Sequence, residues 1–345
     1  MPSPSHELIL APIHGITDCV YRTAFAHWFP GFDRAVSPFV QLRQGHPLRP
    51  GELRQLAPEN NLALPVVPQV LTRHAETFIA GLLALRDLGY DAADWNLGCP
   101  SPRVGGRGAG LLPHPELIDA ILEKVLSRCS MSLSVKLRLG HRSADELVPV
   151  LAVLNRYPLR EVILHPRTAA QMYGGALDIP RAQAARSMCR HRFAISGGIT
   201  TTEEFADLSR QIPGVDAWMV GRGALRNPVL PATIKGAAEP EDKVFRSTLR
   251  QFHDELAEGY GLWLCGPAHF LAKMTEHWTY LSVCFRTPGA IANRIRQAAN
   301  PGDYNERVAW AFEQPLASRG ISSRRNSRAD RRASGRRRSS RRSKP

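Results

Sequence analysis

The chain has 345 residues, 43% of them hydrophobic, with 45 Lys+Arg against 31 Asp+Glu. That length accommodates one large α/β domain and a smaller one, and no run of about 18 apolar residues offers a membrane span. Six cysteines with no C-x-x-C pair exclude a disulfide-stapled secreted module, so reduced thiols in a cytoplasmic protein are expected.

The N-terminus "MPSPSHELIL" lacks the basic-then-apolar pattern of a signal peptide. Eight apolar runs rich in Val, Ile and Leu then follow at intervals of tens of residues: 8–13, 34–40, 64–71, 92–98, 133–139, 161–167, 193–199 and 217–223. Near-continuous apolar runs suit strands buried on both faces, as in parallel sheets. The segments between them read as helices. In 114–126 the apolar positions fall on one helical face behind Pro115, and Ser143/Glu146 and Thr201/Glu204 have the spacing of capping boxes. Eight strand-then-helix units predict a (β/α)8 TIM barrel over 1–238.

A C-terminal helical bundle is expected over 239–317. Phe245, Leu249, Phe252 and Leu256 have helical spacing, as do Phe270, Met274, Trp278, Leu281 and Phe285, with no strand pattern between. From Ser318 to Pro345 stand 12 Lys+Arg and one acid, leaving 33 bases against 30 acids in the first 317 residues. The body is nearly balanced. The Arg/Ser-rich tail is expected to be disordered and to attract RNA by counterion release, blind to sequence, or else to serve as a localisation signal or solubilising extension.

In such a barrel the site lies at the C-terminal ends of the strands. Pro12, Ile13 and His14 end the first strand, Gln69 the third, and Asn96 and Cys99 the fourth. Lys136 and Arg138 lie on the fifth, and His165 and Arg167 end the sixth. Ser196, Gly197 and Gly198 follow the seventh, and Gly221 and Arg222 the eighth. The last two turns occupy the usual phosphate position of this fold, although tight turns alone would also use glycine. Lys136 is mid-strand and needs an anion, either a structural carboxylate or a ligand that becomes negative. His165 reads as a ligand contact or as a core histidine. Cys99 stands on a proline-stiffened loop, "GCPSP", before the glycine-rich 104–112 segment, which reads as a mobile lid. The other five cysteines read as small buried hydrophobes. No metal site is expected.

Taken together, "LAPIHGITDCVYR", "VPQVL", "DWNLGCPSPRVGGRGAGLL", "SVKLRLG", "HPRTAAQMYGGALD", "SGGI" and "GRGAL" resemble the dihydrouridine synthases, flavin enzymes that reduce uridine in tRNA. The motifs run in family order over about 1–230, and the helices beyond resemble the family's RNA-binding bundle. The shape looks most like the bacterial branch of tRNA-dihydrouridine(16) synthases. The resemblance implies FMN held by Pro12 to His14, Gln69, Lys136, His165, Ser196 to Gly198, Gly221 and Arg222, with NADPH as reductant. It implies Cys99 as proton donor, Asn96 beside the uracil, and Arg103, Arg138 and Arg167 toward substrate or RNA. Arg286, Arg294 and Arg296 are candidate phosphate contacts. A monomer acting on tRNA is expected.

Three positions depart from the family pattern. Pro38 stands where an acid is usual, Pro166 where glycine is, and Ser196 where asparagine is common. Two other readings follow from the residues: a small-molecule barrel flavoenzyme of the dihydroorotate dehydrogenase kind, and an RNA-binding barrel that has lost its chemistry.

Overall fold

The structure is a computed structural model that describes residues 6–43 and 48–318. The basic segment 319–345 lies outside the described residues. Ten short strands are all paired in parallel: β1 Glu7–Leu10, β2 Arg34–Val36, β3 Val40–Gln41, β4 Val66–Val67, β5 Gln69–Leu71, β6 Ala92–Leu97, β7 Ser132–Arg138, β8 Glu161–His165, β9 Arg192–Ser196 and β10 Ala217–Val220.

They make an eight-membered ring, because two members are each interrupted. β2 pairs with β4 and β3 pairs with β5, so 34–41 runs beside 66–71 as one strand beside another. β5 then pairs with β6, and β10 with β1, which closes the cylinder. Each interruption contains a proline, Pro38 or Pro68. Proline has no N–H to give to a ladder. At the first break the Ser37 hydroxyl takes the N–H of Gln69 at 3.0 Å instead. Thus all eight apolar runs fold as the strands of a (β/α)8 barrel.

Alternation along each strand sorts the side chains. Leu8, Leu10, Trp95, Leu97, Val135 and Leu164 face outward to the helices in the main core. Ile9, Val36, Val67, Ile163, Ala194 and Met219 fill the inside of the ring as a separate cluster. Below that layer lies a charged one. Arg34 donates from Nη2 to both carboxylate oxygens of Glu161 (2.8 and 2.7 Å) and from Nε to Glu7 (2.6 Å), while Arg192 also pairs with Glu7. Glu161 is 1% exposed.

The expected helix at 114–126 forms as Pro115–Leu126. Ser143 and Glu146 make their box. At the other, Thr201 caps Glu204 N–H, but the Glu204 carboxylate reaches Thr200 rather than Thr201. After Ile234 the chain is helical: Asp242–Trp263, Pro267–Leu281, Pro288–Arg296 and Pro301–Glu313. Phe245, Leu249, Phe252 and Leu256 are buried as their spacing predicts. They pack on the first barrel helix, Cys19–Trp28, with Phe252 edge-on to Tyr21, Phe25 and Phe29 at 5.3–6.0 Å. Among the described residues no helix is long and apolar enough to cross a membrane.

Removing one partner of a buried pair strands the other charge. Arg34→Met is expected to destabilise the fold by about 3–5 kcal/mol and lower the thermal midpoint by roughly 5–10 °C. Arg128→Met, whose partner Glu76 is exposed, should shift it by no more than about 2 °C. Equal midpoints for both variants, read by circular dichroism, would refute the assigned layer.

Candidate functional site

At the C-terminal ends of the strands opens a cavity of about 1230 Å³. Pro12, Ile13 and His14 line it from the loop after β1, and Asn96, Cys99 and Arg103 from the end of β6 and the loop beyond. Lys136 and Arg138 come from β7, His165 and Arg167 from the end of β8, and Ser196, Gly197, Gly198, Gly221 and Arg222 from the turns after β9 and β10. Of the candidates named for cofactor, uracil or catalysis, Gln69 alone does not reach the wall. It is fully buried below it, bonded to Asn96 and Asp94.

Cys99 is half-buried at the rim and lines the cavity. Its backbone is held on both sides. The N–H groups of Gly98 and Cys99 donate to Asn96 Oδ1 at 3.0 and 2.8 Å, and Cys99 O accepts from Ala109 N–H at 3.1 Å. Gly108 has φ +62°, and a Cβ there would stand 2.9 Å from Cys99 O and 3.0 Å from Cys99 Cβ. The glycine loop therefore seats the cysteine. Val104, Gly108, Ala109, Leu111 and Leu112 are buried, so the expected lid is tied down over 108–112, and only 105–107 stays at the surface side. Burial pushes the Cys99 thiol above its ordinary value, against the opposing pull of Ser101 N–H, Arg138 and Lys136. It is a protonated thiol at neutral pH. Of the other cysteines, Cys19, Cys129, Cys189 and Cys284 are buried as expected, but Cys265 is exposed.

Lys136 has no hydrogen bond or ion pair among the described residues, and its side chain lines the cavity. The structural-salt-bridge alternative is thereby removed. Burial, then Arg138, lowers its pKa to about 8, while Asp94 and Cys99 pull the other way. It remains mostly an ammonium near neutrality, and it lines the cavity with no ion-pair partner among the described residues. His165 accepts at Nε2 from Arg167 Nη1 (3.0 Å), because a guanidinium only donates. The proton of the neutral ring is then on Nδ1. Burial, followed by Arg138, Lys136, Arg167 and Arg222, drives His165 well below its ordinary pKa.

The arginines differ in role. Arg138 spends Nε on Gly98 O (2.9 Å) and Nη1 on Thr168 O and Met172 O (3.0 and 2.6 Å), so it clamps the Cys99 turn to the 168–172 loop. Arg167 gives Nε and Nη2 to Gly175 O. Arg222 stacks over Tyr173 with 4.6 Å to the ring centre. Arg103 is exposed at the mouth. Gly197 and Gly198 have φ +99° and +78°, and a Cβ on Gly197 would come within 3.0 Å of His165 Nε2. Of the departures, Ser196 lines the cavity, Pro38 is buried in the strand interruption, and Pro166 O accepts from Asp178 N–H.

Sequence reasoning missed Phe39, which packs against His14 at 5.2 Å, and Tyr173 at the rim. It also missed Asp94, whose one signal is a carboxylate two residues before Asn96 in a buried strand. The far wall comes from the helical region through Tyr280, Cys284 and Arg286, and from Ala317 and Ser318. Arg294 stacks on Trp310 at 4.2 Å, and Arg296 donates to Asn293, both at the surface. Among the described residues no group of three His, Cys, Asp or Glu is placed to hold a metal ion.

A model of the dihydrouridine synthase family matches residues 9–263. A probable tRNA-dihydrouridine synthase of Rhodobacter capsulatus is 27% identical over 265 residues, covering 74% of this chain and 81% of the relative. The tRNA-dihydrouridine synthase B of Pasteurella multocida is 24% identical over 271 residues, 74% and 79% of the two chains. A tRNA-dihydrouridine(16) synthase of Neisseria meningitidis serogroup A is 28% identical over 243 residues, 68% and 72% of the two.

Only the thiolate is alkylated. The rate of Cys99 modification by iodoacetamide should therefore keep rising about tenfold per pH unit beyond about pH 8.5, the ordinary thiol midpoint. Peptide mass spectrometry separates it from the exposed Cys265. A plateau below pH 8 would mean that Cys99 is not a protonated thiol in use near neutrality.

Proposed function

This chain belongs to the dihydrouridine synthase family, and on that premise we propose that it reduces a uridine of tRNA to 5,6-dihydrouridine at the barrel mouth. The observation that carries the reading is the pairing, across one cavity, of a rim thiol kept protonated with a half-buried ammonium that has no ion-pair partner among the described residues. The first is an acid, and the second calls for an anion.

The residues fit FMN. The cavity is large enough for a flavin, Lys136, Arg138, Arg167 and Arg222 give it positive charge, and Gly197 and Gly198 leave bare backbone where a Cβ would collide. Gly197, Gly198, Gly221 and Arg222 would receive the phosphate, Lys136 the polar edge of the ring, and Pro12, Ile13, His14, His165 and Ser196 the remaining sides. When bound, the flavin supplies the hydride for C6 of the uracil, with electrons drawn from NADPH.

The chain's own work is acid catalysis and orientation. The C5=C6 bond is conjugated to the C4 carbonyl, so hydride addition at C6 leaves negative charge shared between C5 and O4. Cys99 gives the S–H proton to C5, and the resulting thiolate recovers a proton from water. Lys136 and Arg138 ease that interval, since both favour the charged sulfur. Overall one uridine, one NADPH and one proton become dihydrouridine and NADP⁺. Asn96 would face the uracil through its amide, and Arg103 and Arg286 at the mouth would meet phosphates. The target base must leave its stack to enter, a cost of a few kcal/mol that RNA binding on the helical region offsets. We place the target in the D-loop at position 16, in line with the Neisseria relative.

Incubation with NADPH and unmodified tRNA tests the reading: dihydrouridine is the expected product, and turnover of dihydroorotate or another small molecule instead would overturn it. Cys99→Ala should retain flavin absorbance and lose on the order of 10²-fold or more in kcat. Full activity in that variant would remove Cys99 as the acid.

The basic segment begins at this cleft. Ala317 N–H donates to Cys284 O at 2.9 Å, and Leu316 bridges to Phe285. Twelve Lys+Arg follow in the sequence after Ser318. Deleting 319–345 should flatten the dependence of log Kd for tRNA on log salt by roughly several units, with the largest affinity loss at low salt. An unchanged slope would show that the segment takes no part in binding.

A further inference from the structure

Beneath the floor of the cavity a carboxylate and two amides stand in file. Asn96 Nδ2 donates to Gln69 Oε1 at 2.8 Å, and Gln69 Nε2 donates to Asp94 Oδ2 at 2.7 Å. Asp94 Oδ1 receives the Ser134 hydroxyl at 3.0 Å. Asp94 and Gln69 are fully buried, and Asn96 is 7% exposed. At the upper end, Asn96 Oδ1 accepts from the N–H groups of Gly98 and Cys99.

The two ends of an amide side chain have almost the same shape, so packing alone does not choose which faces where. A carboxylate does choose, because it only accepts. Gln69 must turn its NH2 toward Asp94. Its oxygen then faces Asn96, which must answer with its own NH2, and this leaves Asn96 Oδ1 for the turn. Were the file reversed, the Asn96 NH2 would confront two backbone N–H donors, and both would lose their acceptor.

We infer that Asp94 is a positioning residue: through Gln69 and Asn96 it sets the direction of both amides and so holds the backbone of Gly98 and Cys99, and with it the thiol, at the rim. Burial raises Asp94 to about 6, with Gln69, Ser134 and Lys136 pulling it down and Glu161 adding to the rise. It is therefore a carboxylate under neutral conditions. The same arrangement gives Gln69 a task away from the cavity wall, which explains why it is buried there.

The inference rests on the uridine-reduction reading only where activity is measured. Two variants test it: Asp94→Ala, which removes the acceptor, and Glu161→Gln, which neutralises the other buried carboxylate outside the file. Folding is checked by circular dichroism. In Asp94→Ala, iodoacetamide should modify Cys99 about tenfold faster at pH 7.5, as the thiol leaves its buried seat. In the same variant kcat for dihydrouridine should fall on the order of 10²-fold, with KM for tRNA changed less than about threefold. Glu161→Gln should stay within about threefold of the parent in both readouts. If Asp94→Ala does not fold, Gln69→Leu cuts the file one link higher and should give the same signature. A folded Asp94→Ala with unchanged Cys99 reactivity overturns the inference. So does a Glu161→Gln variant as impaired as Asp94→Ala, because loss of any buried carboxylate would then have the same effect. Should the parent protein make no dihydrouridine, the functional reading fails, while the alkylation rates still decide the role of Asp94.

Discussion

Two backbone N–H groups sharing one oxygen, Asn96 Oδ1, end a strand and begin a site. β6 pairs with β7 residue by residue as far as Leu97 opposite Leu137. Beyond that point the N–H groups of Gly98 and Cys99 turn back to the Asn96 side chain instead of going on to the neighbouring strand. An asparagine that offers the backbone a local alternative to the ladder is a known strand and helix breaker. Pro100 and Pro102 then deny the chain the donors a helix would need. The sulfur is thereby fixed where the barrel opens, with Arg138 holding Gly98 O from one side and Gly108 packed against the cysteine from the other.

The barrel interior is polarised around that point. At the lower end Arg34, Glu161, Glu7 and Arg192 neutralise one another in paired geometry. At the upper end Arg138, Lys136, Arg167 and Arg222 surround His165 and, after burial, lower its pKa. A fold that pairs its buried charges so closely at one end leaves Lys136 without an ion-pair partner among the described residues at the other, a difference that the proposed anionic ligand would relieve. Asp94 lies between the two, too far from Lys136 for an ion pair and close enough to be felt by it. The asymmetry separates stability from chemistry along one axis, about as the general plan of such barrels requires.

How much of this was legible in the sequence follows from what periodicity can and cannot carry. Eight apolar runs mark eight strands because a parallel strand buried on both faces has nowhere else to go. Lys136 stood out because a cation mid-run must point inward. What one strand cannot show is its partner. Gln69 and Asp94 are 25 residues apart, and Arg34 and Glu161 are 127 apart. The bonds of Gln69 to Asp94 and Asn96 were therefore out of view, and it read only as a ligand contact. Arg138 and Arg167 were marked for substrate or RNA by the family resemblance alone; that backbone carbonyls of irregular loops take most of their donors was not legible, because irregular loops have no period to read. The glycine segment read as a lid from composition alone, whereas Gly108 is there because a side chain would strike Cys99.

The helical region acts on the same site from behind. Asp18 caps the helix Cys19–Trp28 through Tyr21 N–H at 3.1 Å, and it also receives the Tyr260 hydroxyl and the Lys273 ammonium, each at 2.7 Å. Since Tyr260 gives its proton to Asp18, it must accept from His277 Nε2 at 3.0 Å, which fixes that buried ring as the Nε2–H form. Burial takes His277 down to about 3, so the ring stays neutral. Lys273 donates further to Gly15 O at 2.7 Å. The loop whose front edge, Pro12 to His14, lines the cavity is thus fastened at its back edge to helices Asp242–Trp263 and Pro267–Leu281. A shift of the second helix cannot occur without breaking a half-buried ion pair or carrying that loop along. The surface proposed to meet RNA and the wall proposed to meet the cofactor are in this way mechanically one piece.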